Sequence, residues 1–140
     1  VLFRSAAFNP EAVVKVTDVL LASHENTAQI IDARPATRFN AEVDEPRPGL
    51  RRGHIPGALN VPWTELVREG ELKTTDELDA IFFGRGVSYD KPIIVSCGSG
   101  VTAAVVLLAL ATLDVPNVKL YDGAWSEWGA RADLPVEHVK

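Results

Sequence analysis

The sequence predicts an α/β domain with a central, mainly parallel sheet flanked by helices, and three observations predict it. Short apolar runs alternate with helical patterns along the chain, the order expected of parallel strands joined by crossover helices. One such run, residues 91–97, ends in the only cysteine, meets Gly98 and Gly100, and continues as an alanine-, valine- and leucine-rich stretch. That succession reads as buried strand, tight loop, helix. The length of 140 residues with 46% hydrophobic content suits one globular domain.

In chain order, Asn9, Pro10 and Glu11 form a helix start, with an N-cap residue, a proline at the first position and an acid in the first turn. The helix is expected to run to Ser23, with Val13, Val16 and Leu20 on its core face. Residues 28–33 form the first buried strand, which places Asp32 and Arg34 at its carboxyl end, the edge where open parallel sheets bind ligands. Residues 35–52 read as a long polar loop carrying Arg38, Arg47, Arg51 and Arg52; for Arg51 and Arg52 the expected role is a solvated surface. His54 precedes the turn signal of Ile55, Pro56 and Gly57 and is read as part of that turn. Residues 58–61 form a short strand and 63–67 a helical turn. Residues 75–83 form a helix capped by Thr74 or Thr75 and closed by Gly84 or Gly86. Residues 117–121 form a further strand, and 126–132 a last short helix. Trp125 and Trp128 are read as packing residues, with Trp125 also a candidate wall of the pocket.

The chain has no methionine. Residues 1–8 are therefore expected to be added or linker residues, and residues 9–136 the domain. No apolar run reaches the length of a membrane span. A net charge of -5 argues against nucleic acid or an anionic membrane as partner. One cysteine excludes an internal disulfide and disfavours a structural zinc site, and a lone thiol fits a reducing compartment, here the cytoplasm.

The loop after residue 96 carries the chemistry. Glycines let several backbone N–H groups converge, and the following helix adds its own unpaired N–H groups and the positive end of its dipole. A cysteine at such a cradle is expected to act as a thiolate or to hold an extra anionic sulfur. A lone cysteine is more often an inert core residue. A core residue has no need of a flexible loop directly after it, and this favours the reactive reading.

Three motifs also resemble a known family. Cys97, Gly98, Ser99, Gly100, Val101 and Thr102 resemble the active-site loop of the rhodanese-type sulfurtransferases, specifically those acting on 3-mercaptopyruvate. Asp122, Gly123, Ala124 and Trp125 resemble the family's aspartate-glycine-tryptophan signature. His54, Ile55, Pro56, Gly57 and Ala58 resemble its upstream histidine-isoleucine-proline-glycine-alanine segment. The match runs from about residue 28 to residue 128 and is nearest the carboxy-terminal catalytic domain of enterobacterial members. It implies a rhodanese-like three-layer domain in which Cys97 carries sulfur as a persulfide, and no metal or organic cofactor. It implies that Arg38 and Arg47 hold the carboxylate of 3-mercaptopyruvate, a role suited to guanidinium forks. Gly98, Gly100, Val101 and Thr102 would then cradle the substrate and the anionic sulfur. Ser99 would work with a histidine and an aspartate from an amino-terminal rhodanese-like domain outside these residues. The acceptor would be cyanide or a thiol such as thioredoxin.

Two other donors or roles compete. Thiosulfate as donor is disfavoured by the neutral Gly98 and Ser99, where a dianion would want basic residues. A non-enzymatic binding module of the same fold would have no need of Cys97. A cysteine phosphatase is disfavoured by Ala103, which stands where its phosphate-clamping arginine would be.

Overall fold

The computed structural model describes residues 12–99 and 101–138. Its centre is a five-stranded parallel sheet in the order β1-β7-β6-β2-β3, formed by β1 (Val13–Val14), β2 (Gln29–Asp32), β3 (Leu59–Asn60), β6 (Ile93–Ser96) and β7 (Val118–Tyr121). Side chains alternate across the two middle strands, as the pleat requires. Ile31, Ile93 and Val95 enter one core with α3 (Thr75–Gly84) and α4 (Ala103–Thr112). Ile30 and Ile94 enter the other with α1 (Val16–Glu25) and α5 (Ala124–Trp128). This is the expected three-layer α/β architecture. Asp32 lies opposite Ser96 in the register, so the ends of β2 and β6 reach the same edge together.

Local chemistry explains most element ends. Thr74 caps α3 in a reciprocal box with Glu77: the Glu77 amide donates to Thr74 Oγ1, and the Thr74 amide donates to Glu77 Oε1. Past α3, Gly86 takes φ 89°, the left-handed turn that favours glycine. Asn26 does the same after α1 with φ 58°.

Four expectations need correction. The proposed cap at Asn9 and Pro10 lies outside the described residues. Among those described, Val13 and Val14 form an edge strand on β7, and the helix begins only at Val16. Two β-branched residues suit a strand, and Val13 satisfied the helical spacing by coincidence. The buried face of α1 is Val19 and Ala22, while Val16 and Leu20 are partly buried beside it. The last helix is Ala124–Trp128, two residues ahead of its expected start. The polar loop contains a short helix, α2 (Ala36–Phe39). An unforeseen hairpin, β4 (Val67–Arg68) with β5 (Glu71–Leu72), turns on Glu69 and Gly70, both at positive φ as such tight turns demand.

Tyr121, at the end of β7, is fully buried, and its hydroxyl donates to Glu127 Oε1 at 2.7 Å. Burial pushes the phenol's pKa well above its ordinary value, and the Glu127 carboxylate adds to the rise. The folded value therefore exceeds the unfolded one. The stabilisation is complete below the ordinary tyrosine pKa of about 10 and is lost as pH climbs beyond it. Tyr121→Phe is expected to be the less stable protein at pH 8 yet to show a shallower loss between about pH 9.5 and 11. Urea melts across that range check it. An unchanged slope would contradict it.

Candidate active site

The site is built where β2 and β6 end. β6 delivers Cys97 to the sheet edge, and the Ala33 amide donates to the Ser96 carbonyl at 2.8 Å, which holds the two strand ends together. Cys97 is completely buried, in contact with the core that contains Val95, Ala103 and Val106. Burial alone would suit an inert cysteine, so the loop after it decides.

The first amides of α5 set that loop. The Trp125 amide donates to the Cys97 carbonyl, and the Ser126 amide to the Gly98 carbonyl, both at 2.9 Å. Across a trans peptide, C=O and N–H point in opposite directions. The N–H groups of Gly98 and Ser99 are thereby turned away from α5. Ala124 adopts φ 57°, an uncommon conformation for a non-glycine residue, at the turn that aims the next two amides. The aspartate-glycine-tryptophan segment thus acts through its backbone on the cysteine loop.

Beyond the loop lies a pocket of about 180 Å³, lined by Arg38, Glu45, Arg47, Gly98, Ser99 and Thr102 among others. Of the residues expected at the site, Arg38, Arg47, Gly98, Ser99 and Thr102 therefore meet in one pocket. Cys97 is next to it in sequence and is not itself part of the lining. Val101 is 72% exposed and points no side chain into that lining. Gly100 lies outside the described residues. Arg47 and Ser99 are exposed and Arg38 is partly buried.

Arg38 approaches the loop closely. A Cβ built on Gly98 would lie 2.6 Å from Arg38 Nη2. Gly98 thus serves the guanidinium above it as well as its own amide. Gly98→Ala is expected to displace the tip of Arg38. It should lower kcat/KM by roughly 10- to 100-fold, the scale of an ångström's misplacement. Stability should change by less than about 1 kcal/mol, since a flexible side chain gives way. Kinetics and a thermal melt on one preparation check both halves. Full activity would show that Arg38 need not sit where it does.

Behind the pocket runs a buried ion network. Arg34 is 1% exposed. Its Nη2 donates to Asp32 Oδ2 and to the Gly53 carbonyl, both at 2.7 Å, and its Nη1 donates to Glu45 Oε2 at 3.1 Å. It also sits over the Trp125 ring, 4.6 Å from the centroid. Burial acts to lower the pKa of this guanidinium, but Asp32 and Glu45 outweigh it and hold it above its ordinary value. Asp32 is thereby a structural partner of an arginine. Trp125 is buried between Arg34 and the Arg51 carbonyl that its Nε1 donates to, and it lines no part of the pocket.

The role expected of Arg51 is corrected. Its guanidinium donates to four main-chain carbonyls, those of Trp128, Gly129, Arg131 and Leu134, and so caps the end of α5 and fastens the segment after it. Arg52 is exposed and paired with Asp44. His54 is buried, with Nδ1 donating to the Phe39 carbonyl at 2.7 Å, Nε2 3.2 Å from Glu137 Oε1, and its ring stacked on Phe39. Among the described residues no group of three or more histidine, cysteine or acidic side chains could hold a metal ion. Sequence reasoning missed Glu45 altogether.

The chain is similar to known proteins along most of its length. A family model for the rhodanese-like domain matches residues 16–131. The chain is 98% identical over 136 residues to the 3-mercaptopyruvate sulfurtransferase of Escherichia coli (strain K12), covering 97% of this chain and 48% of that protein. It is 41% identical over 135 residues to the 3-mercaptopyruvate sulfurtransferase of Rattus norvegicus, covering 96% of this chain and 45% of that protein. The crystal structure of the 3-mercaptopyruvate sulfotransferase SseA from Escherichia coli superposes with a TM-score of 0.74 at 96% identity, over 86% of this chain and 45% of that one. The chain spans about half the length of the curated relatives it matches.

Proposed function

The chain belongs to the rhodanese-like domain family, and from that premise we propose that it is the cysteine-bearing half of an enzyme that moves sulfur from 3-mercaptopyruvate to a thiol or to cyanide. The observation that carries this reading is the meeting of Arg38 and Arg47 with Gly98, Ser99 and Thr102 in one pocket beside Cys97. Two guanidinium groups beside a cysteine loop suit a donor that bears a carboxylate as well as a sulfur.

The reaction is a double displacement. The Cys97 thiolate attacks the sulfur of 3-mercaptopyruvate, an S–S bond forms, and the carbon–sulfur bond breaks. The electron pair leaves on carbon as the enolate of pyruvate, which takes up a proton. Cys97 keeps the sulfur as a persulfide. An acceptor thiolate then attacks the outer sulfur, becomes a persulfide itself and returns the Cys97 thiolate. With cyanide as acceptor, thiocyanate leaves.

Arg38 and Arg47 orient the keto acid, which converts an encounter into an aligned attack. The amides of Gly98 and Ser99, and those of Gly100, Val101 and Thr102, stabilise negative charge on thiolate and persulfide. The Ser99 and Thr102 hydroxyls supply further donors. Ser99 acts with a histidine and an aspartate of an amino-terminal rhodanese-like domain that closes the pocket. Neither a metal nor an organic cofactor takes part. The compartment is the cytoplasm, with thioredoxin a suitable acceptor. No helix among the described residues is long and apolar enough to cross a membrane.

The test is donor preference in the two-domain protein, with cyanide as acceptor. A kcat/KM at least about tenfold higher on 3-mercaptopyruvate than on thiosulfate supports the reading, since each tenfold corresponds to about 1.4 kcal/mol of differential transition-state binding. A reversed ratio makes thiosulfate the donor. Turnover on neither, with Cys97 never loaded, leaves a binding module.

A further inference from the structure

The geometry points to Glu45 as a positioning residue, whose buried carboxylate grips one edge of Arg38 and so presents the other edge to the carboxylate of the sulfur donor. This rests on the function proposed above. The Glu45 side chain is 1% exposed. Its Oε1 accepts from Arg38 Nη2 at 2.7 Å and from Arg38 Nε at 3.2 Å. Its Oε2 accepts from Arg34 Nη1 at 3.1 Å. Arg34 is itself buried and held by Asp32, the Gly53 carbonyl and the Trp125 ring. Glu45 therefore links a fixed guanidinium in the core to a half-buried one in the pocket.

A guanidinium offers a carboxylate two bidentate edges, Nε with Nη2 and Nη1 with Nη2. Glu45 occupies the first. Among the described residues nothing hydrogen-bonds to Nη1, so the second edge is left for a ligand. That edge is also the part of Arg38 nearest the cysteine loop: from the position of a Cβ on Gly98, Nη2 is 2.6 Å and Nη1 3.8 Å away. A donor carboxylate seated there lies next to the loop that bears Cys97.

A simpler electrostatic role for Glu45 makes the opposite prediction. Removing a negative charge beside two arginines should, by Coulomb attraction alone, tighten binding of an anionic donor. Positioning predicts weaker binding, because a long side chain without its grip spreads over many rotamers and loses the bidentate geometry.

The test uses the two-domain protein. Glu45→Gln is expected to raise KM for 3-mercaptopyruvate by about tenfold, the scale of one charge-assisted hydrogen bond, while kcat stays within about threefold. In an Arg38→Ala background the same substitution should add less than about twofold, because its effect passes through Arg38. Should Glu45→Gln fail to fold, Glu45→Asp takes its place in the cycle; it keeps the charge beside Arg34 but withdraws it from Arg38. A lowered or unchanged KM overturns the proposal. So does an equal loss with and without Arg38, which would make Glu45 a purely structural residue. Wild-type protein that turns over thiosulfate but not 3-mercaptopyruvate overturns the donor assignment, and the role of Glu45 with it. That result is distinct, because it appears before any substitution is made.

Discussion

Cys97→Ser is expected to lower sulfur-transfer turnover by at least about 10³-fold, the scale on which a covalent nucleophile's loss is felt. Serine differs by one atom and fits the space, but a hydroxyl is a far weaker nucleophile and cannot carry sulfur as a persulfide. The change places a hydroxyl among Val95, Ala103 and Val106. The loss of stability should stay within about 1–3 kcal/mol. The variant should remain folded at 25 °C, and a thermal melt taken beside the kinetics separates the two effects. Residual turnover above about one per cent of wild type, in protein shown by mass to carry the serine, would remove Cys97 from the reaction.

Arg34→Met is expected to have the largest effect on the fold, a loss of about 3–5 kcal/mol. Methionine replaces much of the stem but none of the charge. Asp32, its side chain only 4% exposed, would be left as a buried carboxylate without its ion partner, and Glu45, 1% exposed, would keep Arg38 alone. The Gly53 carbonyl and the face of Trp125 would lose a contact as well. Arg52→Ala is the natural control. Arg52 is paired with Asp44 at 2.8 Å, but the two side chains are 48% and 86% exposed, so its removal should cost less than about 1 kcal/mol. Urea denaturation of both variants at pH 7 gives the comparison. Equal losses would mean that the buried network carries no more than a surface pair.

The two effects belong to one construction. Arg34 and Asp32 close the end of β2, Glu45 extends from them to Arg38, and Arg38 reaches Gly98 at the end of β6. The carboxyl edge of the sheet is thus both the most heavily charged part of the interior and the floor of the site. On the other flank α5 holds the loop through two backbone hydrogen bonds, and Arg51 in turn holds the end of α5.

What could be read from the sequence follows from the range of each interaction. The strand, loop and helix around Cys97 were legible because an apolar run, a glycine pair and an alanine-rich helix are all local signals; β6 and α4 lie where they were expected. The Thr74 cap was legible for the same reason, as a box closed by Glu77 three residues on. Glu69 and Gly70 carry a local hairpin signal, a glycine between two short apolar-polar pairs. The strand at Val13 and Val14 was not legible, since two residues satisfy helical and strand spacing equally and only the pairing with Leu120 and Tyr121 decides. Arg51 looked like any loop arginine; the four carbonyls it binds are 77 to 83 residues away in the chain. Arg38 and Arg47 were singled out by resemblance to a family, not by spacing. Glu45 had no signal at all, because an acid in a polar loop looks solvated until the fold buries it between two arginines.

Intact mass reads the passage of sulfur from 3-mercaptopyruvate to Cys97 itself, apart from turnover. The protein is exposed to 3-mercaptopyruvate, weighed, treated with a thiol reductant and weighed again, beside Cys97→Ser. The predicted result is a gain of one sulfur atom, its loss on reduction, and no gain in the variant. A gain of sulfur by the variant, or turnover of 3-mercaptopyruvate by wild-type protein whose Cys97 is never loaded, would remove Cys97 as the sulfur carrier.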